Sequence, residues 1–265
     1  MTVTVFLCDG THNLFDWLGG AVIPVPDNPL IPITLPALIN TNYCTLQAIT
    51  WADALLPLRE SVNDGVSNLS ATIASCGTNF ILAGYSQGAV VCSLVLRQLM
   101  SGSLQSHYPQ FLGATMFGNP CRKKGDVAPV QDNPGGHGLW GNNLLTATPD
   151  SWWEFAMPLD FATTVPDSVF GTDVCTIAEA IFGDCTGGSI ITFILQNLGS
   201  SIQIDIRAVG DLLLFLGHLC GLVPSIPGML SADPHGMYYN TAPPGASQTC
   251  AALAASYINQ LIGAP

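Results

Sequence analysis

The chain has 265 residues, 48% of them hydrophobic and only 9% charged, with a net charge of -12 and six Lys and Arg together. Average domains are about 25% charged. So few cations leave no face for nucleic-acid phosphates and no electrostatic attraction to anionic membranes. The length and apolar content suit a single large domain, 1–265, built on a sheet buried on both faces.

Residues 3–8 read as a first apolar strand that ends in the polar turn Asp9-Gly10-Thr11-His12. No basic segment precedes the strand and Asp9 breaks the apolar run, so the start does not read as a secretory signal. The expectation is a chain made in the cytoplasm without a signal, or one whose signal has been removed. Residues 19–43 hold Pro24, Pro26, Pro29, Pro32 and Pro36 and little charge, as in a long irregular loop. A short extended piece is expected within 46–56. A helix follows from about 61 to 75, with Gly77 as its cap.

Residues 80–83 form the next strand candidate and 113–118 another, the latter leading into Asn119-Pro120-Cys121-Arg122-Lys123-Lys124-Gly125. Gly, Asn, Pro and Asp crowd 131–143, which reads as a surface loop. The stretch 151–158 approaches a strand end, with Asp160 just beyond it. Alternating strands and helices predict an α/β fold with a mostly parallel central sheet flanked by helices. From 178 to 223 the pattern turns helical and apolar, in 190–198 and 202–222. Asp205, Arg207, Asp211 and His218 interrupt the second run, so a helical insertion beside the sheet is favoured over a membrane hairpin. A final helix is expected from about 246 to 262.

The nine cysteines are an odd number, which leaves at least one free or paired between chains. Their spacings suit no zinc site, and no metal or cofactor is expected. Cys8 and Cys92 fall in apolar elements and read as core residues. Cys175 and Cys185 could close a loop.

The chemistry concentrates in Gly84-Tyr85-Ser86-Gln87-Gly88. An apolar run leads in, and Ala89, Val90, Ser93, Leu94 and Arg97 follow at helical spacing. This is a strand, a sharp elbow and a helix, with Ser86 at the elbow as candidate nucleophile. The glycines two residues either side remove Cβ clashes, and the N–H of Gln87 would face an oxyanion formed at Ser86. A serine nucleophile needs a histidine base and a carboxylate that orients it. In chain order Ser, acid, His, the preferred base is His235, in a polar turn ahead of the last helix. His218 lies in an apolar helical run and His12 precedes the serine, while His107 and His137 are not excluded by order alone. Asp160 is the preferred acid, with Asp167 and Asp173 as competitors in the next turn.

Three segments carry a family resemblance: Gly84-Tyr85-Ser86-Gln87-Gly88-Ala89-Val90-Val91, Phe117-Gly118-Asn119-Pro120-Cys121-Arg122, and His235-x-x-Tyr238. Together they resemble the mycobacteriophage Lysin B family of cutinase-like serine esterases, over nearly the whole chain. The segment Ala156-Met157-Pro158-Leu159-Asp160-Phe161-Ala162 is similar to that family's acid segment, usually Ala-x-Pro-Gly-Asp-x-Tyr, with Leu159 in place of Gly and Phe161-Ala162 in place of x-Tyr. The turn after the first strand is similar to the family's Gly-Thr turn, which puts a second oxyanion donor at Thr11. The resemblance implies a cutinase-like α/β-hydrolase with a helical insertion, 178–223, between Asp160 and His235. It also implies hydrolysis of the ester that joins mycolic acids to arabinogalactan, releasing the mycobacterial outer membrane during host lysis. A general lipase or cutinase-type carboxylesterase is the alternative. No N-terminal peptidoglycan-binding module is expected, because the catalytic domain starts at about Thr2. The expected partner is mycolyl-arabinogalactan or another lipid ester, met at the cell envelope by a monomer without stable membrane insertion and without nucleic acid.

Overall fold

The computed structural model describes residues 2–11, 13–15, 22–24, 28–52, 58–168, 171–172, 174–176, 178–179 and 234–264. Among the described residues the strands are β1 (Val3–Cys8), β2 (Asn13–Phe15), β3 (Val22–Pro24), β4 (Cys44–Ile49), β5 (Phe80–Tyr85), β6 (Phe111–Phe117) and β7 (Trp152–Phe155). Helices include α1 (Leu35–Leu38), α2 (Leu58–Ser75), α3 (Gln87–Ser101) and α4 (Cys250–Leu261), and residues 171–172, 174–176 and 178–179 are also helical. Strands β2 and β3 form a small antiparallel pair; the other five make one sheet in the order β4-β1-β5-β6-β7, all parallel.

The central position of β5 follows from its sequence. All of Phe-Ile-Leu-Ala-Gly-Tyr is buried, as a strand covered on both faces requires. At the sheet edge, β4 buries only Cys44 and Ile49 and presents Thr45, Gln47 and Ala48 to solvent. Because side chains alternate along a strand, each strand feeds two separate cores. Phe6 and Cys8 of β1 and Phe80 and Leu82 of β5 pack with α2 and α3. Val5, Leu7, Ile81 and Ala83 face the other way, toward α1 and α4. Each fully buried Leu, Ile or Phe contributes roughly 1.5–3 kcal/mol relative to exposure.

The chain leaves β1 toward β4 on one side and returns to place β5 on the other. The strand order therefore reverses between β1 and β5, the position where an open α/β sheet forms a crevice at its carboxyl end. The candidate site lies there.

Several boundaries differ from those expected. Helix α2 already includes Leu58, because Leu58, Val62, Leu69 and Ile73 continue one buried stripe back by a turn. Gly77 does not take the left-handed conformation expected of a cap. Strand β6 begins at Phe111, whose ring lies 5.8 Å from that of Phe80. The proline-rich loop contains one wide helical turn (Leu30–Thr34) that runs directly into α1. Helix α4 begins at Cys250, because Thr249 takes an extended conformation and its side chain accepts from Ala252 N.

Cys8, Cys44, Cys76, Cys92, Cys121, Cys175 and Cys250 carry free thiols. Of the expected insertion, 178–223, only residues 178 and 179 are described, and both are helical; the rest, with Cys185 and His218, lies outside the described residues. Among the described residues no helix is long and apolar enough to cross a membrane.

Candidate active site

Strand β5 ends at Tyr85 and α3 begins at Gln87, so Ser86 alone makes the turn. It does so at φ 53 and ψ -118, a conformation that side-chain-bearing residues rarely adopt. Local contacts hold it there. Ser86 N donates to Phe117 O at 2.9 Å, extending the β5–β6 ladder into the turn, and Ser86 O accepts from Val90 N. A Cβ on Gly84 would lie 2.9 Å from Ala89 N, and one on Gly88 only 2.1 Å from Cys8 O. The two flanking glycines thus allow α3 to start against the end of β1. Strain held by surrounding packing is a feature of functional turns.

The other candidates arrive from separate loops. His235 sits in the short helical turn Pro234–Gly236, and Asp160 lies beyond the end of β7. His235 Nε2 is 2.9 Å from Ser86 Oγ, and its Nδ1 is 3.0 Å from Asp160 Oδ1. Ser86 is 9% exposed, and Asp160 and His235 are each 1% exposed. Room for the imidazole comes from Gly118, whose φ is +60 and where a Cβ would lie 2.7 Å from His235 Cε1.

Burial alone would raise the Asp160 carboxyl, but the charge and hydrogen bond of His235 outweigh it, helped by Tyr238 and Ala162. The group is held below the usual carboxylate value and stays ionised near neutral pH. An ionised carboxylate only accepts, so it selects the tautomer with the proton on Nδ1 and leaves Nε2 to accept from Ser86 Oγ. Tyr238 is the partner that the sequence reading did not place. Its hydroxyl donates to Asp160 Oδ2 and accepts from Met157 N at 3.2 Å. Burial, then the Asp160 charge, raises the phenol well above its ordinary value, so it remains a donor. The i, i+3 spacing from His235 was its only signal in the sequence.

Gln87 opens α3, and the first N–H groups of a helix have no intrahelical acceptor. Its buried side chain accepts from Trp51 Nε1 at 3.0 Å, which anchors the start of α3 against the α2 side of the core. Thr11 is half-buried and follows Gly10, where a Cβ would be 3.4 Å from Ser86 Cβ. The loop that carries Thr11 therefore borders the serine.

The competitors lie elsewhere. Asp167 pairs with Lys124 and lies 3.6 Å from His137 Nε2, and His107 Nδ1 is engaged by Gln110. His12 and Asp173 are outside the described residues. The left-handed φ of 65 at Leu159 explains why glycine suits the position before the acid. Among the described residues no group of three or more His, Cys, Asp or Glu could hold a metal ion.

A hydroxyl, an imidazole and a buried carboxylate in one hydrogen-bonded line can generate a nucleophilic alkoxide and return its proton to a leaving group. The PE-PPE domain family matches residues 27–151, a span that includes the elbow. The crystal structure of lysin B from Mycobacteriophage D29 is 20% identical, over 98% of this chain and 99% of that one, with a TM-score of 0.65. A cutinase-like protein from Cryptococcus sp. is 18% identical over 58% of this chain and 74% of its own, with a TM-score of 0.42. No curated protein matches the chain. The likeness to lysin B extends over the whole length and shows the fold, an α/β-hydrolase with a five-stranded parallel sheet flanked by helices.

Proposed function

We propose that this chain is a serine esterase in which Ser86 is the nucleophile, His235 the general base and Asp160 the acid that orients it. The observation that carries this reading is the unbroken line from Ser86 Oγ through both nitrogens of His235 to Asp160 Oδ1, at 2.9 and 3.0 Å. Ser86 Oγ attacks the ester carbonyl while its proton passes to His235 Nε2. The resulting oxyanion is met by the N–H of Gln87 at the start of α3 and by a second donor at Thr11. Collapse of the intermediate breaks the ester C–O bond, and the alcohol leaves with the proton from His235. Water then enters, gives a proton to His235 and attacks the acyl-enzyme carbonyl. The acid departs and Ser86 regains its proton.

The substrate proposed is the ester between mycolic acids and arabinogalactan of the mycobacterial cell wall, cleaved during phage-driven host lysis. The resemblance of the Gly-Tyr-Ser-Gln-Gly, Gly-Asn-Pro-x-Arg and His-x-x-Tyr segments supports this reading, together with the full-length likeness in fold to lysin B. The test is a panel that includes purified mycolyl-arabinogalactan, a triacylglycerol and p-nitrophenyl butyrate. Release of free mycolic acids, abolished by Ser86→Ala, is the expected result. Turnover of the two simpler esters with none on the cell-wall polymer would reduce the reading to a general lipase or cutinase-type carboxylesterase.

A further inference from the structure

We propose that Tyr85 and Asn28 form a clamp that sets the histidine loop over the nucleophile, so that both are positioning residues for Ser86 chemistry; this rests on the esterase reading above. The hydroxyl of Tyr85 donates to His235 O at 3.0 Å. Asn28 Nδ2 donates both to Tyr85 Oη at 3.2 Å and to Gly236 O at 3.0 Å. Two successive carbonyls of the loop are thereby held from outside it. One tether would leave the loop free to swivel about a single point, whereas two fix its orientation.

The amide of Asn28 faces the loop for a local reason. Its Oδ1 accepts from Leu30 N at 2.9 Å, so the NH2 group must point the other way, toward Tyr85 and Gly236. That bond also ties the clamp to the wide turn Leu30–Thr34, whose Leu30 and Ile31 are buried in the core. Tyr85 is held equally firmly. It is the last residue of β5, with its ring centroid 5.3 Å from that of His235. On another side a Cβ at Gly10 would lie 2.9 Å from its Cδ1. The residue immediately before the nucleophile therefore touches the loop after β1, the histidine ring and the backbone carbonyl of the histidine.

The reason to expect a catalytic consequence is geometric. Nε2 must stay within hydrogen-bonding reach of Oγ through proton transfer in both directions, and displacements near 1 Å cost rate steeply. Because Tyr85 and Asn28 hold the backbone of the histidine loop, their loss should lower kcat rather than raise KM.

The experiment uses Tyr85→Phe, which removes only the hydroxyl and keeps the ring, and Asn28→Ala, each in the full chain. Three quantities are read: kcat and KM on p-nitrophenyl butyrate, the second-order rate of Ser86 labelling by a fluorophosphonate, and the thermal unfolding midpoint. Each variant should lose about tenfold in kcat and in labelling rate, equivalent to about 1.4 kcal/mol, with KM within about twofold of the parent. The double variant should fall short of the product of the two losses, because both act on one loop. Parent-level kcat and labelling in both single variants would overturn the clamp, even if their midpoints fell, because the contacts would then be structural only. A loss confined to KM would overturn it as well. Failure of the parent itself to label at Ser86 would instead remove the esterase reading beneath it.

Discussion

Glu154 lies within β7 and Asp160 just beyond its end; both are buried, and their carboxyls are shifted in opposite directions. Asp160 has donors on each oxygen: His235 Nδ1 and Ala162 N on Oδ1, and the Tyr238 hydroxyl on Oδ2. It is held below the usual carboxylate range. Glu154 has donors only on Oε1, from Asn119 Nδ2 and Trp152 Nε1 at 2.7 Å each, and its Oε2 has none among the described residues. The nearby Arg122 does not supply one, because its guanidinium donates to the carbonyls of Thr163, Asp126, Gly135 and Gly136. Burial consequently pushes Glu154 up to about 8, beyond what its two hydrogen bonds bring down. Burial alone does not decide the charge of an interior acid; the number and kind of donors does. The ionised acid faces the site, and the neutral one joins the framework through Asn119, which also donates to Ser93 of α3.

The largest effect that bears on this contrast is the loss of the group between Asp160 and the serine. His235→Ala should lower kcat on p-nitrophenyl butyrate by about 10⁶, where the three residues act as a unit. A well-folded variant that keeps a tenth of the activity would show that Asp160 is ionised for structural reasons only. Asp160→Asn should cost less, about 10⁴, because the amide removes the charge and favours the wrong histidine tautomer while the rest of the site remains. An equal loss in Glu154→Gln would erase the distinction between the two acids.

Tyr238→Phe probes the donor count directly. It leaves Asp160 Oδ2 and Met157 N without that partner, and kcat should fall about tenfold, the scale of one hydrogen bond to a charged group. With burial less opposed, the Asp160 carboxyl should move up toward Glu154 behaviour, so that stability is lost on acidification at a higher pH than in the parent. Denaturant midpoints that respond to acid as those of the parent do would remove Tyr238 from the account.

The smallest effect on activity belongs to Glu154→Gln, which should leave kcat near the parent value but alter stability. A folded-state value near 8 against an ordinary 4.5 means that the native state holds a proton the unfolded chain has released. This group therefore lowers stability as pH rises from about 4.5 to about 8, by up to about 1.4 kcal/mol per pH unit. Denaturant midpoints measured from pH 5 to 8 should fall less steeply in Glu154→Gln than in the parent. Asp160 has the opposite sign, since its depressed value gives stability that is lost as pH drops below the ordinary 3.8. Parallel midpoint curves would contradict the assignment for Glu154.

The same contrast separates what was legible in the sequence from what was not. The elbow at Ser86 could be read because local rules act there: a fully apolar strand, two small residues at fixed offsets, and a helix stripe behind them. The parallel α/β architecture followed from the same periodicities. Ser86, Asp160 and His235 could be proposed from chain order and meet in space, but the groups that tune them could not. Tyr238, Asn28 and Gly118 act through contacts between segments far apart in the chain, and nothing in their neighbours marks a carboxylate, a carbonyl or an imidazole as their partner. Helix starts were missed for a related reason. The turn that begins at Leu58 is helical through burial, and the start after Thr249 is decided by a side-chain cap rather than by composition.

The central claim is that Ser86 is the nucleophile, and the most direct measurement is mass-spectrometric mapping of the full chain after reaction with a fluorophosphonate. The predicted result is one stoichiometric phosphonyl adduct on the peptide that contains Ser86, formed in step with loss of esterase activity and absent after prior denaturation. An enzyme that cleaves esters while Ser86 stays unmodified, or while the adduct forms on another residue, would contradict the account.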